Sequence, residues 1–256
     1  MKLNGKIAFI SGASAGIGKA IAETFAEAGA NLILSARRID KLKVLAEDLH
    51  SNFGTETQLI ELDVRNFDKV ESAIKNLRSA WSNIDILVNN AGKAKGFDKI
   101  HQGSLIHWEE MIDTNVKGLL YLSRLILPGM VERASGHVVN IGSIAGVEVY
   151  PSGNVYCASK FAVHAISKGM VIDLNGTGVK VTNIAPGLVE TEFAEVRFDG
   201  DKERGEKVYQ GYKPLEAQDI ADIALFAVTR KHHVQIQDIL VTPLDQATAT
   251  IVSKKL

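Results

Sequence analysis

Apolar residues gather in short β-branched runs at positions 7–10, 31–35, 58–64, 84–89, 137–143, 179–185 and 236–241, which reads as seven strands. Longer stretches of helical period lie between them, at 17–28, 39–53, 67–81 and 155–174. Alternation of this kind predicts strands joined by crossover helices, and hence a parallel sheet. The runs are near-continuously apolar, as expected of strands covered by helices on both faces. The pattern therefore predicts one doubly wound α/β domain over 1–256 with a seven-stranded parallel sheet flanked by helices on both faces. No internal repeat or Pro/Gly/Ser-rich linker interrupts it, and the five prolines read as lying at helix ends or in loops. Residues 190–212 are the least patterned and read as a mobile loop past a strand's C-terminal end, where α/β sheets carry their sites.

Composition narrows the function classes. The 29 basic and 30 acidic side chains nearly cancel, so no basic field exists to gather nucleic acid or an anionic membrane, and a small molecule is the expected partner. A lone cysteine, Cys157, cannot form an internal disulfide, and no charged-then-apolar leader opens the chain, so a cytoplasmic protein is expected. The longest apolar stretches fall far short of the roughly 18 residues of a membrane helix. His232-His233 lacks companion ligands at usable spacing, so no metal is expected. Positions 119–130 and 161–170 are apolar on more than one face, which predicts burial against a second copy of the chain in a homo-oligomer.

The first chemical signal is Gly12-Ala13-Ser14-Ala15-Gly16-Ile17-Gly18, which follows the first strand and opens the first helix. A phosphate needs close backbone approach and free amides at a helix N-terminus, and glycine permits both. A plain glycine-rich turn is the alternative, and the strand–turn–helix setting favours a nucleotide cofactor. At the end of the second strand, Ser35-Ala36-Arg37-Arg38 carries two arginines where NAD-binding folds place an acidic residue, which indicates a 2′-phosphate and hence NADP. Tyr156 and Lys160 are four apart, so they share a helix face and point into one cleft. A nearby ammonium favours the phenolate and draws a phenol of pKa about 10 toward the working range. Tyr156 is thus the expected general acid in reduction and general base in oxidation, with Lys160 as its tuner. Ser143, at the end of the fifth strand, is placed to donate to the same substrate oxygen, or simply to cap a helix.

Gly12 to Gly18, the turn Asn89-Asn90-Ala91-Gly92, Ser143, the Tyr156/Lys160 pair and Pro186-Gly187 occur in the order of the short-chain dehydrogenase/reductase family, and the chain resembles that family along its whole length. Ser11 stands where the family more often has threonine. The resemblance implies a Rossmann domain, with the cofactor held roughly by 1–145 and the base and substrate loop supplied by 146–256. It implies NADP contacts from Gly12, Ser14, Gly16, Ile17, Gly18, Arg37 and Arg38. Asp63 and Val64 are implied to flank adenine, and Asn89, Ala91 and Gly92 to line its ribose. Tyr156, Lys160, Pro186, Gly187, Val189 and Thr191 are implied on the nicotinamide side. Asn115 matches the family's relay asparagine, completing a catalytic set with Ser143, Tyr156 and Lys160.

Within the family, Met111-Ile112-Asp113-Thr114-Asn115, Leu127-Pro128-Gly129-Met130, Gly153-Asn154-Val155-Tyr156, the run from Gly187 to Phe193 and Val196-Arg197-Phe198 are most similar to NADP-dependent serine or 3-hydroxy acid dehydrogenases, also described as malonic semialdehyde reductases. That similarity implies small hydroxy acids such as serine, allo-threonine or 3-hydroxypropionate, bound by Ser143, Tyr156 and, through a carboxylate, Arg197. Lys93 and Lys95 depart from the apolar residues that relatives often carry there. A general carbonyl or 3-oxoacyl reductase and a non-catalytic NADP sensor remain the other readings. Members of the family commonly pair through the two helices singled out above, so a homotetramer, or else a dimer, is expected.

Overall fold

The computed structural model describes residues 2–255. Among these residues, β1 (Ile7–Ser11), β2 (Asn31–Ala36), β3 (Thr57–Glu61), β4 (Ile86–Asn89), β5 (Gly136–Ile141), β6 (Val179–Pro186) and β7 (Asp238–Val241) form one sheet, all neighbours parallel, in the order β3-β2-β1-β4-β5-β6-β7. The connecting helices are α1 (Gly16–Glu27), α2 (Ile39–Phe53), α3 (Phe67–Lys75), α4 (Leu105–Ile112), α5 (Gly118–Glu132), α6 (Asn154–Asp173), α7 (Phe193–Arg197), α8 (Lys202–Lys207) and α9 (Ala217–Val228).

Period-two alternation sends each strand's side chains to two covered faces. Ala8, Ile10, Leu32 and Leu34 pack with Ile21 and Phe25 of α1, Leu45 of α2 and Ile220 of α9. Phe9, Ile33 and Leu87 pack on the other side with Val70 of α3 and Leu122, Ile126 and Met130 of α5. Each large apolar side chain so buried contributes about 1.5–3 kcal/mol. Local chemistry sets several boundaries. Gly54, at φ +67°, ends α2 in the left-handed conformation that glycine adopts without strain. Asn66 and Ser104 cap α3 and α4 by accepting from Lys69 N and His107 N. The chain leaves β1 toward β2 and β3, then returns to place β4 on the other side of β1, so the strand order reverses between β1 and β4. A crevice opens beyond the strand ends at such a reversal.

Several expected boundaries shift. The third strand stops at Glu61, because Leu62-Asp63-Val64 run on past the ladder with β2. The third helix stops at Lys75, and only a short 3-10 turn, Ser79–Trp81, follows. Pro128 lies inside α5, not at its end. It sits on the exposed face, where water can satisfy the carbonyl that a proline cannot serve. The loop expected at 190–212 contains α7 and α8. No helix among the described residues is long and apolar enough to cross a membrane.

Candidate active site

A cleft of about 600 Å3 opens at the strand reversal. Its floor at one end is the glycine turn, pinned between β1 and β4. Ser11 Oγ donates to Val88 O (3.2 Å) and accepts from the amides of Asn90 (3.0 Å) and Ala91 (3.1 Å), while Asn90 Nδ2 donates to Ser11 O (2.9 Å) and Gly12 O (3.2 Å). Gly12 has φ +69°, and a Cβ there would stand 2.9 Å from Asn90 Nδ2 and 3.0 Å from Ala91 Cα. No side chain caps α1, so its first amides face the cleft free to donate. A backbone cradle that a Cβ would fill, beside an uncapped helix N-terminus, fits a pyrophosphate. Gly18 does not line the cleft. It packs beneath the turn, where a Cβ would come within 2.5 Å of Gly12 O.

The cationic end of the cleft lies past β2. Arg38 donates to Ser14 Oγ from Nε (3.3 Å) and Nη2 (3.2 Å), and Arg37 lines the same wall. Asp40, which could have neutralised these arginines, pairs instead with Lys43 at 3.8 Å. Asp63 is clamped by Arg65, whose Nε lies 3.0 Å from both carboxylate oxygens and whose Nη2 lies 2.6 Å from Oδ2. That hydrogen bonding holds the Asp63 carboxyl below its ordinary range and keeps it an acceptor at the cleft wall, next to Val64. Ala91 and Gly92 also line the cleft. Asn89 does not: it is buried, donating to Ser123 Oγ (3.1 Å) and Asn140 Oδ1 (2.9 Å). Asn90 takes the place on the wall expected of it.

At the other end α6 presents Tyr156 and Lys160 one turn apart, both buried and both on the cleft. Ser143 lies two residues past the end of β5. Its Oγ accepts from Ala145 N (3.1 Å), capping the turn Ile144–Gly146, and it lines the cleft beside Tyr156. The site serine thus fills the capping role as well. Burial pushes the Tyr156 phenol well above its ordinary value, the nearby Tyr150 adds to this, and Ser143 and the Arg197 charge pull it back. Burial lowers Lys160 to about 8. Lys160 Nζ donates to the carbonyl of Ile141, at 2.9 Å.

Asn115 lies behind this group. Between α4 and α5 the helix widens into a π turn, Asp113–Lys117, that carries it. Its Oδ1 accepts from Lys93 N (2.8 Å), and its Nδ2 donates to Lys93 O (2.9 Å) and Ser159 Oγ (2.9 Å). Ser159 in turn donates to Tyr156 O (2.7 Å). Asn115 is therefore a buried brace between the loop after β4 and α6, and does not itself line the cleft.

A lid built from residues after β6 closes the chamber. Pro186, Gly187, Val189 and Thr191 border it, with Ile17 and Gly16 opposite. Arg197 of α7 donates to Tyr150 Oη (2.8 Å) and Gly96 O (3.3 Å), and its guanidinium carbon lies 4.7 Å from the Phe97 ring centre, 5.3 Å from Tyr150 and 5.8 Å from Tyr156. Phe193 tilts against Tyr156 with centroids 5.8 Å apart. A proton donor, a hydroxyl partner and a fixed cation thus converge beside a nucleotide-shaped trough, the layout of a dehydrogenase.

The sequence matches the short chain dehydrogenase family over residues 6–202. The chain belongs to this family. Among its relatives, an NADP-dependent 3-hydroxy acid dehydrogenase of Escherichia coli strain K12 is 44% identical over 244 residues, 95% of this chain and 97% of that protein. One of the same description from Schizosaccharomyces pombe is 39% identical over 99% of this chain and 98% of its own length. Among solved structures, a closed form of serine dehydrogenase complexed with NADP+ superimposes with a TM-score of 0.91 at 42% identity, covering 98% of this chain and all of that one.

Within this short-chain dehydrogenase, sequence reasoning passed over Asn90, Ser159, Glu192 and the aromatic wall of Phe97, Tyr150, Phe193 and Phe198. Strand parity separates the two asparagines, because Asn89 shares a face with the core residue Leu87 and Asn90 leaves the strand toward the cleft. Nothing in the local sequence marks Glu192 or gathers the aromatics, which come from segments more than 40 residues apart.

Proposed function

We propose that this protein is an NADP-dependent oxidoreductase acting on small 3-hydroxy acids such as serine, allo-threonine or 3-hydroxypropionate, and on the matching semialdehydes. One observation carries the substrate class: the guanidinium of Arg197 is fixed over the Tyr156 ring in an otherwise aromatic chamber. A carboxylate bound there would hold its 3-hydroxyl toward Tyr156 and Ser143, and the fork of the guanidinium suits a carboxylate. The relatives named above support the same reading.

Gly12, Ser14, Gly16, Arg37 and Arg38 would hold the pyrophosphate and 2′-phosphate, with Asp63 and Val64 at adenine and Lys160 at the nicotinamide ribose. When bound, NADP+ would accept the hydride in oxidation and NADPH would give it in reduction. Tyr156, a phenol at neutral pH, gives its proton to the carbonyl oxygen in reduction and recovers it in oxidation, which is therefore favoured at alkaline pH. Ser143 donates to the same oxygen as charge develops there. Asn115 holds Lys93 and Ser159, and through Ser159 the backbone of Tyr156, so that the base does not wander. Removing a charge-assisted contact worth about 1.5–3 kcal/mol raises KM roughly 10- to 100-fold. Arg197→Ala is thus expected to do this for 3-hydroxypropionate while sparing turnover of uncharged carbonyls. An unchanged KM with acids, or activity with uncharged carbonyls alone, moves the protein to the general carbonyl reductase reading that its aromatic wall would also suit.

The same reading extends to assembly. Apolar side chains stay exposed on two separate faces: Leu120 and Phe161 (each 41%) on α5 and α6, and Phe226 (50%), Leu240 (54%) and Leu244 around α9 and β7. Pairing each face with its own copy would give a homotetramer of two-fold symmetry. The single buried cysteine and the lack of any disulfide suit the cytoplasm.

A further inference from the structure

The two ends of the cleft are bridged by one side chain. Glu192 immediately precedes α7 and lines the cleft. Its Oε2 accepts from Arg38 Nη1 at 2.9 Å, and its Oε1 accepts from Lys41 Nζ at 2.8 Å. Both cations lie more than 150 positions away in the chain, beyond the end of β2, and Arg38 is also the donor to Ser14 Oγ in the glycine turn. On the other side, the next residue, Phe193, packs on Tyr156, and Arg197 at the end of the same five-residue helix lies over the same ring. One carboxylate therefore joins the corner assigned to the cofactor's 2′-phosphate to the helix that carries the substrate groups. The hydrogen bonds from Lys41 and Arg38 hold that carboxyl below its ordinary range, so it stays charged well into acid.

We propose that Glu192 is a latch: a positioning residue that holds α7 closed over Tyr156, using the cations of the phosphate corner as its catch. The inference rests on the NADP reading above. Charge lets latch and cofactor coexist. Arg37, Arg38 and Lys41 bring three positive charges to the corner and Glu192 cancels one. The two that remain match a phosphate monoester, about −1.5 to −2 at neutral pH. The carboxylate is thus not needed to bind the phosphate, and its charge opposes it. What it contributes is the placement of Phe193 and Arg197.

The latch therefore predicts that two constants part company. In Glu192→Gln the Kd of NADPH holds or falls, because a negative charge beside the phosphate is gone, while KM for the hydroxy acid rises roughly three- to tenfold, as expected for two half-exposed ion pairs. Lys41→Met, which removes half of the catch and leaves Arg38 in place, raises KM by a smaller factor. General damage to the fold would weaken cofactor and substrate together. The measurement is NADPH titration by fluorescence together with steady-state KM for 3-hydroxypropionate, or for an uncharged carbonyl should the Arg197 reading fail. Wild type is measured first, so that failure to bind or use NADPH at all removes the cofactor reading and not the latch alone. A KM within twofold of wild type in Glu192→Gln, or a Kd for NADPH that rises in step with KM, overturns the latch.

Discussion

Lys160 weakens the fold it serves. Its ammonium is buried with no counter-ion among the described residues, and desolvation lowers its pKa from 10.5 to about 8. At about 1.4 kcal/mol for each pH unit, keeping this cation inside costs about 3 kcal/mol at neutral pH. Lys160→Met keeps the length of the side chain and removes the charge, leaving only the carbonyl of Ile141 without its donor, a loss of about 1 kcal/mol. The cofactor-free variant is therefore expected to be more stable by about 2 kcal/mol at pH 7, raising Tm by roughly 4–8 °C in a chain of this size, while losing activity. The advantage depends on pH. Between pH 8 and 10.5 the unfolded lysine still binds its proton and the folded one does not, so wild-type stability climbs across that window. The gap between the two proteins is full below pH 8 and closes as pH rises toward 10.5. Thermal unfolding of both proteins at pH 7, 8.5 and 10 measures it. A methionine variant that melts below wild type at pH 7, or a gap of the same size at pH 7 and pH 10, would refute the reasoning.

Two further outcomes follow from the same geometry. Tyr156→Phe removes the proton donor and keeps the packing against Phe193, so kcat falls by about 10²–10⁴-fold while NADPH titration is unchanged. Gly18→Ala forces a methyl against Gly12 O and Asn90; overpacking of this kind costs about 1–3 kcal/mol, and because the displaced atoms form the phosphate turn, urea unfolding and NADPH affinity both register it.

The sheet was legible because parallel strands covered on both faces leave unbroken apolar runs, and Phe9 with its neighbours Ala8 and Ile10 feeds two cores at once. Strand ends were less legible. Val64 reads as strand because it is apolar, yet it is buried under Gly118 beyond the last β2 partner. α7 and α8 were hidden because five and six residues make fewer than two turns, too few for a period to emerge among their charges. The Tyr156/Lys160 pair was legible since spacing alone puts both on one helix face. Their electrostatics were not, since these depend on depth of burial and on Ile141, which sequence does not bring to mind. Arg197 could be singled out as a guanidinium in the right segment, but its hold on Gly96 and Tyr150 is a property of the folded lid.

The π turn at Asp113–Lys117 bears on how this scaffold tolerates changes in length. A π turn holds one residue more than regular α winding, so the helical arm from Leu105 to Glu132 is a reading frame with a deliberate insertion. Deleting a single residue in the turn would restore regular winding and leave the two halves of the arm close to their present phase, because the wide turn already absorbs the extra residue. Met111 on one half and Leu122, Ile126 and Met130 on the other would still reach their cores, but Asn115, carried on the wide turn itself, would be drawn off Lys93 and Ser159. A shortening that the packing of the arm would tolerate is thus barred at this point by the brace of the catalytic centre.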